Sequence, residues 1–437
     1  MKSISISADV IVNNLLSVSR EIGLCLLDSC GSDHPGSHIM IAAGYPVETF
    51  ERGESHLAKT LAELDRILTG DKAAIFSLSY DFGRRLHGQT TGKRRDAMEP
   101  DLFISVFDVL LVHDYSIGKT FLAGDHDRFD EIVDVISAPP KKLEETCAKG
   151  QMIRTSLPKS EYLDAIASIK EQIRRGNTYQ TNLTQQLTVE IPKGLSTATI
   201  FQRIRRYQPA PFSALLERKD STVISASPER FFKVESGRIC ASPIKGTRSR
   251  GQNKAADDRL RNELLKSEKD RAENVMIVDL LRNDLGRVCE YGSIRINELC
   301  TLQELPTLFH LVSTIGGRLR LDTKPSQIIE ALFPCGSITG APKLRTMKII
   351  DELEPVSRGL SMGAIGVYIP NEFGVPPMLD LSVAIRTMVI RDGHATFNVG
   401  GGIVIDSEPE KEWEESLIKA RALLSSLGIH EVNKKLA

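Results

Sequence analysis

Residues Leu381–Leu427 read LSVAIRTMVIRDGHATFNVGGGIVIDSEPEKEWEESLIKARALLSSL. The first half predicts two strands, 381–391 and 394–405, joined by Asp392-Gly393. That dipeptide between apolar runs is the strongest short-range signal for a hairpin. The second half predicts a helix from Ser407 to Leu427 with two stripes. Trp413, Leu417, Ala420, Leu424 and Leu427 share one face, at helical spacing. Glu408, Glu412, Glu415 and Lys419 fall on another. A hairpin followed by a separate helical block argues for an α+β fold and against alternating βαβ units.

Outward from this stretch the pattern continues. Pro342–Leu353 predicts a helix with proline in its first turn. Residues 254–284 read as helical and heavily charged, and strands are expected near 183–190, 222–226 and 238–242. A helix over 160–175 has Ser160 as its N-cap and Leu163, Ile166, Ile169 and Ile173 on one face. Gly176-Asn177 stops it. The stretches IMIAAGYPVETF and LFISVFDVLLVHD are strand-like. Ser137–Pro158, with Pro139-Pro140, is the linker candidate. It divides an N-terminal part, 1–145, from a C-terminal part, 155–430.

Composition bounds the class. A net charge of −1 over 437 residues argues against a nucleic-acid or anionic-membrane partner. No run of eighteen apolar residues exists, so no membrane span is expected. The start MKSISISADVIVNNLL lacks the apolar core of a signal peptide. Seven scattered cysteines, an odd number without a CxxC pair, read as reduced thiols in a cytoplasmic protein.

Two acidic pairs suggest a metal. Asp270 and Glu273 lie three apart in EKDRAENVM, as do Glu412 and Glu415 in the last helix. Carboxylates at i and i+3 project from one face. Two such pairs from different helices would make an oxygen-only site, which suits Mg²⁺. Other features suit an anionic ligand. Thr339-Gly340-Ala341 leads into a helix start, where free N–H groups favour an anion. Gly400, Gly401 and Gly402 interrupt a strand, which marks a bulge or a close approach of backbone to ligand. Arg386, mid-strand among Val383, Ile385 and Met388, wants a carboxylate.

These segments resemble the chorismate-utilising family, which includes anthranilate synthase component I, aminodeoxychorismate synthase component I and the isochorismate and salicylate synthases. The resemblance rests on SPERFF, PIKGTRSRG, DRAENVMIVDLLRNDLGRV, FHLVSTIGG, FPCGSITGAPK, GAIGVY, VAIRTM and VGGGIVIDSEPEKEWEESLIKARAL, in that order over about 155–425. LLDS (Leu26–Ser29) and SYDFGRRL extend it more weakly into the N-terminal part. It implies two packed antiparallel sheets with helices outside. It also implies that Asp270, Glu273, Glu412 and Glu415 hold Mg²⁺, although the family usually has glutamate at the first of these. Thr339, Tyr368, Arg386, Gly400, Gly402 and Lys419 match positions that hold chorismate, and His310 matches the histidine near the reacting ring. The RND signature, Arg282–Asp284, has no evident role beyond helix packing.

Three positions bear on the reaction. Isochorismate and salicylate synthases use a lysine to activate water where this chain has Gln180, and an amide is not basic. Ammonia is therefore the expected nucleophile. Anthranilate synthases typically carry PIAGT, whereas this chain has PIKGT, as many aminodeoxychorismate synthases do. The resemblance then implies a covalent role for Lys245, opposite Glu229 as acid and base. Anthranilate formation is the alternative. Ammonia is expected from a separate glutamine amidotransferase subunit, since the chain shows no glutaminase motif.

Overall fold

The computed structural model describes residues 1–31, 39–53, 57–89, 99–139, 153–304 and 308–429. Two sheets, of twelve and ten strands, carry the fold, and neighbouring strands pair antiparallel in both. The elements that position the site can be named in chain order. Strands are β1 (Leu102–Phe107), β2 (Val109–Asp114), β3 (Gln180–Glu190), β4 (Thr222–Ser227), β5 (Arg230–Glu235) and β6 (Ile244–Ser249). They continue as β7 (Leu308–Arg318), β8 (Ala364–Ile369), β9 (Met378–Val383), β10 (Thr387–Arg391) and β11 (His394–Ile403). Helices are α1 (Lys159–Arg174), α2 (Glu268–Gly286), α3 (Lys343–Leu353) and α4 (Pro409–Ser426).

Strand alternation builds a layered core. On β8, Ile365, Val367 and Ile369 point between the sheets, where they meet Ala214, Leu216 and Val223 of the twelve-stranded sheet. Ala364 and Tyr368 point the other way, into a core with α2 residues Ile277, Val278 and Leu281. The outer face of the twelve-stranded sheet is covered by α1 and α4. There Tyr162 meets Trp413 edge-on at 5.4 Å between ring centres. The α+β expectation and the two packed sheets with helices outside are both observed.

The hairpin at Asp392-Gly393 forms as read, with φ of 47° and 72° at its two turn residues. Glycine and aspartate tolerate that left-handed region. The stretch 381–391 does not form one strand. β9 ends at Val383 in the ten-stranded sheet, and β10 begins at Thr387 in the twelve-stranded one. LFISVFDVLLVHD also divides at Asp108, β1 belonging to one sheet and β2 to the other. A continuous apolar run looks alike whether it stays in one sheet or turns a corner between two, because both faces are buried throughout.

Other boundaries moved less. α1 is capped at Pro158, ahead of Ser160. The charged stretch 254–284 is two helices, Lys254–Lys266 and α2, parted at Ser267, whose hydroxyl accepts from the Asp270 N–H. Pro342 caps α3 from outside the first turn. Most of the expected linker, Ser137–Pro158, lies outside the described residues. Strands from before and after it share the same ladders: Leu26 pairs with Leu215, and Phe76 with Gly366. Among the described residues no helix is long and apolar enough to cross a membrane, and the six described cysteines are free thiols.

Candidate active site

The site gathers where the chain passes between the sheets. Glu229 stands at the corner between β4 and β5, and Arg386 at the return corner between β9 and β10. The Val383 N–H donates to the Glu229 carbonyl at 3.0 Å, tying the two corners together.

Glu229 is buried, and burial pushes its carboxyl up, against the pull of Lys245, the Ser337 hydroxyl and the Ile244 N–H. Its Oε1 is buried with no hydrogen-bond partner. A carboxyl held above its usual range by burial, with one oxygen unpartnered, is suited to give a proton to a ligand.

Lys245 lies on β6, whose register slips between Lys245 and Thr247 at Gly246. Gly246 has φ of 71°, and a Cβ there would sit 2.8 Å from Leu264 Cδ1 and 3.0 Å from Asp270 Cβ. Glycine is thus required for β6 to lie against α2. Lys245 Nζ donates to the Ser337 carbonyl at 3.3 Å. Its charge reaches Glu229, Glu273 and Glu415 and favours their ionised forms. The lysine therefore stands between the candidate acid and the acidic helices.

Thr247 leads to His310 on β7, their Oγ1 and Nδ1 atoms 2.9 Å apart. Burial, and then Arg386, push the His310 imidazole down to about 4, so it is neutral at pH 7. Arg386 is not mid-strand. It occupies a sheet-to-sheet corner at φ of 48°, a costly region for a long side chain. Burial alone depresses its guanidinium, and among the described residues nothing hydrogen-bonds or ion-pairs with it. Strained backbone and an unpaired, partly buried cation together fit a carboxylate ligand.

Thr339 is fully buried after a turn, its hydroxyl directed at the carbonyls of Cys335 (3.1 Å) and Gly336 (3.3 Å). Gly340-Ala341 does not run straight into the helix but pairs with Gln180 and Thr181 of β3. On the other edge of β3, Gly402 faces Asn182, and Gly400 faces Thr184. A Cβ on Gly400 would strike the Leu183 carbonyl, and one on Gly402 would strike the Gln180 amide nitrogen. Gln180 is buried beside the site with its Oε1 unpartnered. Lys419 of α4 donates to the Gly400 carbonyl at 3.0 Å.

The four carboxylates come from α2 and α4 as expected. Burial raises Glu273, with Asp270 and Glu412 adding repulsion. Burial likewise raises Glu412, with Glu415 adding to it. Burial also lifts Glu415, but Lys419, Lys269 and Lys245 outweigh it and leave it lower than an ordinary glutamate. Each group has a protein cation nearby. Lys419 lies 2.8 Å from Glu415, Lys269 3.9 Å from Glu412 and Arg248 3.2 Å from Asp270. Among the described residues no three His, Cys, Asp or Glu side chains are drawn close enough to cage a metal. The donors are nonetheless all hard oxygens from facing helices, and Glu273 and Glu412 repel one another. A divalent cation relieves such repulsion, so the residues fit Mg²⁺.

Tyr368 does not join this group. Alternation on β8 turns it to the outer face, where its hydroxyl donates to the Gly70 carbonyl at 2.9 Å beside Asp71 and Glu372. A one-residue offset along a strand reverses the face, and the motif match carried no facing information. One glycine of the triplet was given no role of its own, and one residue was passed over. Gly401 faces α4, a Cβ there lying 3.3 Å from Glu412 Oε2 and 3.5 Å from Lys419 Nζ. Alternation along the glycine triplet was the available signal. The Ser337 carbonyl accepts from Lys245 Nζ, which nothing in the sequence foretold.

Two packed antiparallel sheets with this site at their junction define the fold of a class of enzymes. Anthranilate synthase component I from Streptococcus pneumoniae matches it with a TM-score of 0.78 at 24% identity, covering 89% of this chain and 92% of that one. A family model described as chorismate binding enzyme matches residues 30–425, and the chain belongs to that family. Aminodeoxychorismate synthase component 1 of Bacillus subtilis is 36% identical over 375 residues, 83% of this chain and 78% of its own length. Anthranilate synthase component 1 of Aquifex aeolicus is 35% identical over 352 residues, 77% of this chain and 70% of its own. The chain is a chorismate-utilising enzyme.

Proposed function

We propose that this enzyme is an aminodeoxychorismate synthase component 1, which converts chorismate and ammonia to 4-amino-4-deoxychorismate and water, on the route to p-aminobenzoate and folate. The observation that carries the reading is Lys245, set between Glu229, whose carboxyl burial pushes up, and the acidic helices. In this reading Lys245 first gives its ammonium proton to solvent, and the neutral Nζ then bonds through its lone pair to ring C2 while the C4 hydroxyl leaves as water with a proton from Glu229. Ammonia then bonds to C4, the C2–Nζ bond breaks, and Glu229 takes a proton from the incoming nitrogen. Arg386 holds a substrate carboxylate, and neutral His310 lies beside the ring without adding a second charge. Gln180, an amide, has no basicity with which to activate water.

Asp270, Glu273, Glu412 and Glu415 would hold Mg²⁺, which when bound withdraws electron density through the ring carboxylate. Ammonia would come from a glutamine amidotransferase subunit, in keeping with relatives named as one component of a synthase. A cytoplasmic location fits the free thiols.

Lys245→Ala tests the covalent role. The variant is expected to lose most aminodeoxychorismate formation while still binding chorismate and Mg²⁺, and unchanged turnover refutes the role. EDTA should stop the wild-type reaction and added Mg²⁺ restore it; turnover that survives chelation refutes the metal. The second reading, anthranilate synthesis, is favoured by the near-equal identity to the Aquifex aeolicus enzyme. The product separates the two.

A further inference from the structure

Arg358 lies between α3 and β8, and its guanidinium bonds to three separate segments of the interior. Nε and Nη2 donate to the two Glu354 oxygens at 2.9 and 2.7 Å. Nη2 also donates to the Asn182 carbonyl of β3 at 2.7 Å, and Nη1 to the Ile338 carbonyl at 3.0 Å. The two side chains of the ion pair are 1% and 4% exposed. Glu354 in turn accepts from Thr184 of β3, from its N–H at 2.8 Å and its hydroxyl at 2.9 Å. We propose that Arg358 is a positioning residue. Anchored on β3 through Glu354, it holds the turn Gly336–Ile338 and so places the Ser337 carbonyl that receives Lys245 Nζ at 3.3 Å. This deepens the function proposed above and rests on it.

β3 is the fixed side of this arrangement. It pairs with β11 without a break from Thr181–Ile403 to Glu190–His394, so Thr184 and Asn182 have little freedom. The turn is the placed side, and its own bonds are local: the Thr339 N–H and hydroxyl both reach the Gly336 carbonyl at 3.3 Å. Its ties to β3 run on either side of one peptide. The Thr339 carbonyl accepts from the Asn182 N–H at 2.8 Å, and the Ile338 carbonyl accepts from Arg358, which also holds the Asn182 carbonyl. Strand, turn and arginine thus close a ring of hydrogen bonds around Asn182. The guanidinium is held from one face as well, 4.6 Å from the centre of the Tyr80 ring. Opposite Thr184 and Asn182 on β11 stand Gly400 and Gly402, the candidates for holding chorismate. One ion pair therefore refers the substrate strand and the lysine's acceptor to the same frame. The planar fork matters here, because its donors sit on three nitrogens. A lysine carries its three donors on one atom, and it cannot serve the carboxylate, the strand and the turn together. Loss of the fork frees the turn while the ladder keeps the strand, so chemistry should suffer more than binding.

The test compares wild type with Arg358→Lys and Glu354→Gln, each shown to be folded by urea unfolding. Chorismate disappearance with ammonium chloride and Mg²⁺ gives kcat and KM. Arg358→Lys keeps a buried cation beside Glu354, so it should fold. Its kcat should fall about 10- to 100-fold, the range for a misplacement on the order of 1 Å, with KM within about threefold. Glu354→Gln still offers Thr184 an acceptor but withdraws the charge from Arg358, and it should show the same split with a smaller loss. The second readout needs no turnover. Lys245 is acetylated with acetic anhydride at pH 7, and its rate is read on its own peptide by mass spectrometry. A lysine released from a carbonyl acceptor loses its proton more readily, so Lys245 in Arg358→Lys should react about threefold faster or more. Unchanged kcat in Arg358→Lys overturns the proposal. So does a KM that rises as much as kcat falls, an unchanged acetylation rate, or failure of Arg358→Lys to fold, which would make the residue a structural one. If the product proves to be anthranilate, the functional reading fails, while the acetylation rate still decides the role of Arg358.

Discussion

Lys343 Nζ lies 2.6 Å from Asp284 Oδ2, with the two side chains only 7% and 9% exposed. The same ammonium donates to the Leu332 carbonyl at 2.7 Å. Asp284 closes the RND signature on α2, and Lys343 opens α3 directly after the GSITGAP turn. The pair thus fixes the helix bearing Asp270 and Glu273 to the turn bearing Ser337 and Thr339. Removing one partner leaves the other buried and unpaired, which costs about 3–5 kcal/mol. Asp284→Asn and Lys343→Met should each lower the urea midpoint by that equivalent at unchanged slope. The double replacement Asp284→Leu/Lys343→Met should recover much of the loss. A single variant with a wild-type midpoint contradicts this role.

Arg386 supplies a second prediction. Its guanidinium is partly buried and has no partner among the described residues, so its charged hydrogen bonds are available to a ligand. Such bonds are worth about 1.5–3 kcal/mol, or roughly 10- to 100-fold in affinity. Arg386→Gln should raise KM for chorismate by that factor. Arg386→Lys should recover little, since an ammonium lacks the planar fork. Steady-state KM checks both, and an unchanged KM in Arg386→Gln removes Arg386 from the binding set.

His310 makes stability depend on pH in a defined direction. Burial lowers its imidazole from 6.5 to about 4, so between those values the unfolded chain binds more protons than the folded one. Stability from this residue is therefore complete above about pH 6.5 and declines as pH falls towards about 4. Urea midpoints of wild type and His310→Gln should differ more in slope against pH within this window than above it. Parallel curves from pH 4 to 8 would show that the ring is not held neutral.

How much of this was legible in the sequence depends on which physical signal each feature leaves. The Asp392-Gly393 hairpin was readable because left-handed turn residues are few in kind. The acidic pairs were readable because i, i+3 spacing fixes a shared helix face. The corners at Asp108 and Ala384–Arg386 were hidden, since apolar runs continue unbroken through them. Arg386 was singled out as an arginine within an apolar strand, but its corner position and its strain came only from the structure. Tyr368 was misplaced for want of facing information, and Gly401 was named with its glycine neighbours but given no role, although the same alternation turns it to the acidic helix.

The most direct measurement of the central claim is mass spectrometry of the product formed from chorismate, ammonium chloride and Mg²⁺ by the purified chain. An amine of unchanged carbon skeleton that retains the enolpyruvyl group, with no pyruvate released, is the predicted result. Anthranilate with an equivalent of pyruvate would contradict it and reassign Lys245.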